Sequence, residues 1–132
     1  MAAWEGKKYK LEKSENLDAY MEAYGISAET RKLRNTLFPT VSLVKNGDEY
    51  EYTTAYTTRN QVMKFKIGVD FDIDTLDGKK IKTVCHFENP NKLIQDEKGG
   101  KGGKIIREFT DTELVATCIT GGITAVIHYK AV

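Results

Sequence analysis

The sequence predicts a mainly β fold: an up-and-down antiparallel β-barrel of about ten strands, with a helix-turn-helix lid between the first two. Three observations predict it. After Pro39 the chain is a succession of short alternating segments separated by hairpin-length turn signals. Helical periodicity is confined to one early stretch. And one strand carries an arginine, Arg107, on the face that its neighbours mark as apolar.

The first strand is expected over residues 8–13. Leu17, Tyr20, Met21 and Tyr24 then repeat at helical spacing, with Asn16 placed to cap the start and Gly25 to end the helix. A second short helix follows, capped by Ser27. Glu29 and Thr30 lie in its first turn and Arg31, Lys32 and Arg34 in its later part, the charge order that suits a helix dipole. Pro39 blocks any extension. Strands are expected over residues 41–45, 49–54, 61–67, 69–73, 79–87, 92–95, 104–110, 114–120 and 123–130. Between them stand Asn46-Gly47-Asp48, Asp77-Gly78, Asn89-Pro90-Asn91, the glycine-rich run 99–103, Asp111-Thr112-Glu113 and Gly121-Gly122. Sequential hairpins make a meander, and closing it into a barrel would remove the exposed edges. A barrel of about ten strands is too wide for its own side chains to fill, so it encloses a cavity. No repeat or linker divides the chain, and residues 1–132 are expected to form one domain.

Composition is that of an ordinary soluble globular protein: 30% charged, 40% hydrophobic, with a net charge of +1. That balance gives no global attraction to nucleic acid or to an anionic membrane. Residues 1–7 contain no apolar leader core and no apolar run reaches membrane-spanning length, so no signal peptide or transmembrane segment is expected and a cytoplasmic location is. Cys85 and Cys118 lie on separate strands and read as free buried thiols. With two distant histidines they make no metal set.

In residues 104–110, alternation puts Ile105, Arg107 and Phe109 on one face. Two readings are open from the strand alone. If this is an edge strand, the arginine snorkels to water. If the face points inward, a buried guanidinium needs a hydrogen-bonding or negative partner, and a bound anionic ligand is one candidate.

Other motifs fail on inspection. The run Gly99 to Lys104 lacks phosphate-loop spacing, has Ile105 where Ser or Thr is required, and joins strands rather than opening a helix. Asp70, Asp72, Asp74 and Asp77 lack the central Gly and terminal Glu of a calcium loop. Tyr50, Tyr52, Lys64, Phe65 and Lys66 read as inward rings and outward charges rather than a single-strand nucleic-acid platform. His86 and His128 fall out of phase with the interior positions. No nucleophile–base constellation is present in the sequence, and neither enzyme activity nor a cofactor is expected.

Longer stretches form a pattern of their own: Tyr9-Lys10-Leu11 followed by Asn16-Leu17-Asp18-Ala19-Tyr20-Met21, then Tyr24-Gly25-Ile26, Thr30-Arg31-Lys32, Pro39-Thr40, Lys45-Asn46-Gly47-Asp48, Phe65 to Phe71, Asp77-Gly78-Lys79 and Arg107-Glu108. Together they resemble the intracellular lipid-binding proteins, the fatty-acid-binding and cellular retinoid-binding family of lipocalin-like, calycin fold. Leu17 departs from the aromatic expected there, and Tyr9 stands where many members have Trp. The resemblance covers essentially the whole chain. It implies a lipid cavity whose carboxylate ligand is held by interior arginines and by the tyrosine of an Arg-x-Tyr element on the last strand. Arg107 matches the first arginine and Tyr129 the tyrosine, but Ile127 stands where the second arginine would be. Thr58 replaces a Phe that often gates the portal. Cavity and portal are expected to involve Leu17, Tyr20, Met21, Tyr24, Pro39, Thr54, Thr58, Leu76, Asp77, Ala116, Cys118 and Ile127.

The function implied is non-enzymatic carriage of long-chain fatty acids by a monomer, anchored at Arg107 and Tyr129. The Arg31, Lys32 and Arg34 face of the lid would make transient membrane contact. Two alternatives stay open. One is a carrier of retinoid or another neutral lipid, which Ile127 favours. The other is a lipid-sensing regulator that docks on a membrane partner or enters the nucleus through the same basic face. That face is equally a favourable helix C-terminus.

Overall fold

Ten strands and two helices follow one another in the expected order in the computed structural model, which describes residues 2–34, 36–56, 60–74, 80–98 and 103–132, the side chains of Tyr24 and Asp74 excepted. They are β1 (Tyr9–Glu15), α1 (Leu17–Tyr24), α2 (Ala28–Arg34), β2 (Thr40–Asn46), β3 (Glu49–Ala55), β4 (Asn60–Lys66) and β5 (Phe71–Asp74), then β6 (Lys80–Asn89), β7 (Lys92–Glu97), β8 (Lys104–Phe109), β9 (Glu113–Thr120) and β10 (Ile123–Ala131). All ladders are antiparallel and join consecutive strands, except that β1 also pairs β10 and so brings the two ends of the chain together.

The helices end as their sequence dictates but do not both begin so. Gly25 takes the left-handed conformation at φ 96°, and Ile26 N–H returns to the Met21 carbonyl at 3.0 Å, the wrap that stops α1. Ser27 Oγ accepts the Thr30 N–H at 3.3 Å and caps α2. Asn16, by contrast, makes no side-chain cap. It turns the chain at φ 62°, and its Nδ2 donates to the Thr124 carbonyl of β10 at 3.2 Å. The left-handed turn aims its amide at the neighbouring strand rather than at the first turn of the helix.

Full closure, expected from the meander, is not reached. β4 and β5 stand at the two ends of the strand order and share no ladder among the described residues. The cause lies in the connection between them. Gly68, at φ 76°, donates its N–H to the Cys85 carbonyl at 2.9 Å, which ties the chain to β6 before β5 begins. Val69, expected in a strand, lies outside β5 and is 52% exposed.

Rings span the opening instead. Phe65 of β4 stacks on Phe71 of β5 with centroids 5.7 Å apart and planes 18° apart. Phe65 also stacks on Tyr50 at 5.6 Å, Tyr50 meets Phe87 at 5.4 Å, and Phe87 stacks on Trp4 at 6.2 Å. Trp4 is buried, its Nε1 donating to the Pro90 carbonyl at 3.0 Å, and the Tyr9 hydroxyl donates to the Thr110 carbonyl at 2.8 Å. The N-terminal turn is thus part of the main core, with Val41, Leu43, Leu93, Phe109 and Leu114.

If ring stacking holds the β4–β5 edge, Phe71→Ala should destabilise the fold by about 2–3 kcal/mol, less than a fully buried Phe because Phe71 is half-buried. Amide exchange should quicken in β4 and leave β2, paired on both sides, unchanged. Uniform acceleration across the barrel would count against this role.

Candidate functional site

Arg107 points inward. β8 is paired on both sides, by β7 and β9, so the edge-strand reading of this arginine fails, and the residue is 9% exposed. Arg107 faces Leu93 across one ladder and Ala116 across the other. Its Nη1 donates to Gln95 Oε1 at 2.7 Å, and its guanidinium lies over the Tyr52 ring at 4.2 Å. Nε is buried and unpartnered, and no carboxylate of the described residues lies within ion-pair distance. Arginine keeps its proton in proteins, so this is a fixed interior cation among neutral groups.

Burial keeps the titratable neighbours neutral beyond the range in which free phenols and thiols ionise. Burial pushes Tyr129 well above its ordinary pKa and raises Tyr52, with Arg107 pulling Tyr52 the other way. Burial also pushes Cys85 up to about 12 and Cys118 up to about 11, again against the pull of Arg107. Both thiols are free and buried, as expected.

A cavity of about 420 Å³, within the size range of small-ligand sites, opens beside this cluster. Its inward lining includes Arg107, Gln95, Tyr52, Thr54, Phe71 and Met63, and it reaches Val62 and Lys64 on the outer side of β4. The cavity therefore runs from the guanidinium to the β4–β5 opening.

Of the residues expected to line the cavity, Arg107 and Thr54 do so. Tyr20 and Met21 descend from α1 and pack with Ile26 on Cys118 and Ala125, with Leu17 and Ile127 against them. Ala116 and Tyr129 belong to the main core. The helical stripe thus fills the β9–β10 side and leaves open space on the β4–β5 side. Tyr20, itself raised by burial, senses Cys118, Glu97 and Arg107. Pro39 is buried at the start of β2. Thr58, Leu76, Asp77 and the Tyr24 side chain lie outside the described residues.

Gln95 and Tyr52 were not singled out as polar neighbours of Arg107 on sequence. The signal was present: Leu93, Gln95 and Glu97 alternate inward on β7, which runs two residues beyond its expected end. A partner sought only within the arginine's own strand misses a diagonal neighbour on the next.

The structure divides the basic lid residues. Arg31 turns back onto α1, 3.3 Å from Asp18 and 3.2 Å from Glu22, and donates to the Ile26 carbonyl at 2.7 Å. Arg34 donates to the Tyr56 hydroxyl and lies 5.1 Å from the centre of its ring. Lys32 is exposed, as are Leu33 at 62% and Phe38 at 54% exposure. Among the described residues no His, Cys, Asp and Glu group could hold a metal, and no helix is long and apolar enough to cross a membrane.

Comparison with known proteins matches residues 5–129 to the lipocalin / cytosolic fatty-acid binding protein family. A fatty acid-binding protein of Tyrophagus putrescentiae is 43% identical over 122 residues, covering 92% of this chain and 93% of that one. The brain fatty acid-binding protein of Drosophila melanogaster, solved without citrate inside, superposes with a TM-score of 0.92 at 46% identity, over 96% of this chain and 98% of that one. A Schistosoma mansoni fatty acid binding protein in complex with arachidonic acid superposes with a TM-score of 0.92 at 35% identity, over 100% and 98%.

The buried thiols give a test with a definite sign. Their folded pKa values lie above the unfolded value of about 9, so the folded state favours the neutral thiol. The associated stability is complete below about pH 9 and is lost as pH rises through about 11 to 12. Native protein at pH 8 should resist alkylation at both cysteines and react fully in denaturant, as mass spectrometry of iodoacetamide-treated protein would read. Rapid native labelling would show that the interior opens to water.

Proposed function

The chain belongs to the lipocalin / cytosolic fatty-acid binding protein family, whose members are carriers rather than enzymes, and from that premise we propose that it is a reversible cytoplasmic carrier of long-chain fatty acids. The single observation supporting this most strongly is Arg107: a buried cation with only neutral partners and one unpartnered N–H, bordering a cavity. Such a charge is costly until an anion arrives. A carboxylate at Arg107 gains charge-assisted hydrogen bonds, and each methylene of its chain gains roughly 0.8 kcal/mol on leaving water. Tyr129 is assigned to the head-group end as a neutral phenol. Residues 1–132 act as one lipid-binding domain, monomeric, with no nucleic-acid partner and no cofactor beyond the lipid.

A neutral-lipid ligand is the second reading, and Ile127 supports it. Ile127 stands in phase with Ala125 and Tyr129 on β10 and adds no cation to the interior. Arg107 is therefore the whole of the proposed ionic anchor. Membrane contact, if it delivers the ligand, falls to Lys32 with Leu33 and Phe38, since Arg31 and Arg34 are held internally. The same accounting weakens the regulator reading, which needs all three charges facing outward.

Arg107→Gln should weaken binding of myristic acid by about 1.5–3 kcal/mol, the scale of a hydrogen bond to a charged group, and leave myristyl alcohol nearly unaffected. The apo protein should be unharmed or stabilised, because an uncompensated interior charge has gone. Equal losses for acid and alcohol, or none for either, would transfer the case to a neutral ligand. Lys32→Glu should slow ligand transfer to anionic vesicles at low salt and lose that effect at high salt. Transfer that ignores both charge and salt would leave the helical face without a membrane role.

A further inference from the structure

Arginine has N–H donors and no acceptor, so the Gln95 atom that takes the Arg107 Nη1–H at 2.7 Å has to be the amide oxygen. That fixes which way the amide faces. Its nitrogen, on the same carbon, then stands beside the guanidinium with two N–H donors of its own. The bond to Arg107 is the only one that the Gln95 side chain makes among the described residues, although Gln95 is buried. Arg107 Nε is likewise without an acceptor. Both residues line the cavity, and there the space beside the amide lies. A buried amide that keeps spare donors at the wall of a cavity is set to meet an acceptor brought by the ligand.

We propose that Gln95 is a second head-group ligand: its Nε2–H donates to one oxygen of a carboxylate while Arg107 holds the other, so that a neutral donor stands in for the cation that Ile127 does not supply. The inference rests on the carrier reading above and adds to it a ligand residue and a reason for the choice of head group. Guanidinium and amide together present donors alone, which suits a group with two acceptor oxygens. Because the acceptor is ionised, the amide N–H gains a charge-assisted bond that a neutral hydroxyl does not give it. The amide also leaves the charge of Arg107 intact. A carboxylate in its place would orient the arginine equally well, yet it would cancel the cation and repel the acid. Gln95 thus does two things with one group: the oxygen positions Arg107, and the nitrogen binds the ligand.

Two measurements test this: titration of myristic acid and myristyl alcohol into wild type, Gln95→Leu and Gln95→Glu, and NMR exchange of the glutamine side-chain amide protons in wild type. The chain has two glutamines, so isotopic labelling of glutamine leaves Gln95 and the exposed Gln61 to observe, the second as control. Myristic acid should slow exchange of a Gln95 Nε2 proton, and the alcohol should leave it near the apo rate. Gln95→Leu should weaken the acid about tenfold, the lower end of what one hydrogen bond to a charged group contributes, and change the alcohol by less than about threefold. Gln95→Glu keeps the shape and cancels the cation, so it should weaken the acid about a hundredfold and spare the alcohol. If the acid leaves Gln95 exchange as it is in the apo protein, or if Gln95→Leu weakens acid and alcohol alike, the amide only holds Arg107 in place and the inference is refuted. The exchange measurement needs wild type alone and stands even where a variant does not fold. Failure of wild type to bind either ligand would overturn the carrier reading and this inference together, whereas the preceding results overturn the inference and leave the carrier standing.

Discussion

The constraint on which the site depends is a guanidinium held inside a β-barrel without a counter-ion among the described residues. Arg107 has a neutral amide oxygen at one edge, a ring beneath it and an unpartnered Nε. In such surroundings the neighbouring phenols and thiols stay protonated, since each would have to carry its own charge in the interior to lose a proton. The groups in contact with Arg107 are therefore neutral, and the buried carboxylate of the described interior, Glu97, lies two residues beyond Gln95 on β7, outside ion-pair distance of the arginine. A carboxylate beside Arg107 would cancel the cation in the empty barrel and remove the reason for an acid to enter. Gln95 solves that problem: it orients the arginine through one N–H without neutralising it.

The opening between β4 and β5 complements that arrangement. A ladder there would have sealed the wall, and the cavity beside Arg107 would then lie behind backbone hydrogen bonds. Stacked rings close the same gap more softly, because Phe65 and Phe71 can separate without leaving a backbone donor unpaired. The chain of rings from Phe71 back to Trp4 connects this soft seam to the N-terminal turn. Rigidity at the base and compliance at one side are thus built from one aromatic series.

Much of this was legible in the chain. Alternation with hairpin turns gave all ten strands to within a few residues, and the 3/4 stripe of α1 gave both the helix and the face it buries. Arg107 was legible because a charge out of pattern is conspicuous. Three features were not. The missing β4–β5 ladder depends on where one glycine sends its N–H, which is a three-dimensional outcome. Gln95 is an unremarkable residue until β7 is laid beside β8. The basic run of α2 reads as a uniform face, yet its members point three ways: Arg31 to α1, Arg34 to Tyr56 and Lys32 to solvent. Periodicity tells which side of an element a residue occupies, and it does not tell which partner a long flexible side chain will find there.

That division of the lid bears on how one small barrel can both hold a ligand and release it. α1 is fixed by burial: Tyr20 and Met21 fill the β9–β10 side, and moving them would expose apolar surface at a cost of roughly 1.5–3 kcal/mol for each large side chain. α2 has no such anchor and is held by polar contacts alone, which exchange with water or ligand at little net cost. Opening is therefore cheaper at α2 than at α1, and cheaper at the β4–β5 seam than at any laddered pair. The β4–β5 seam adjoins the open side of the interior rather than the side that α1 fills. A ligand can enter and leave without disturbing the packing on which the fold rests, so retention is governed by the head group at Arg107 and the chain beside it, not by the stability of the barrel.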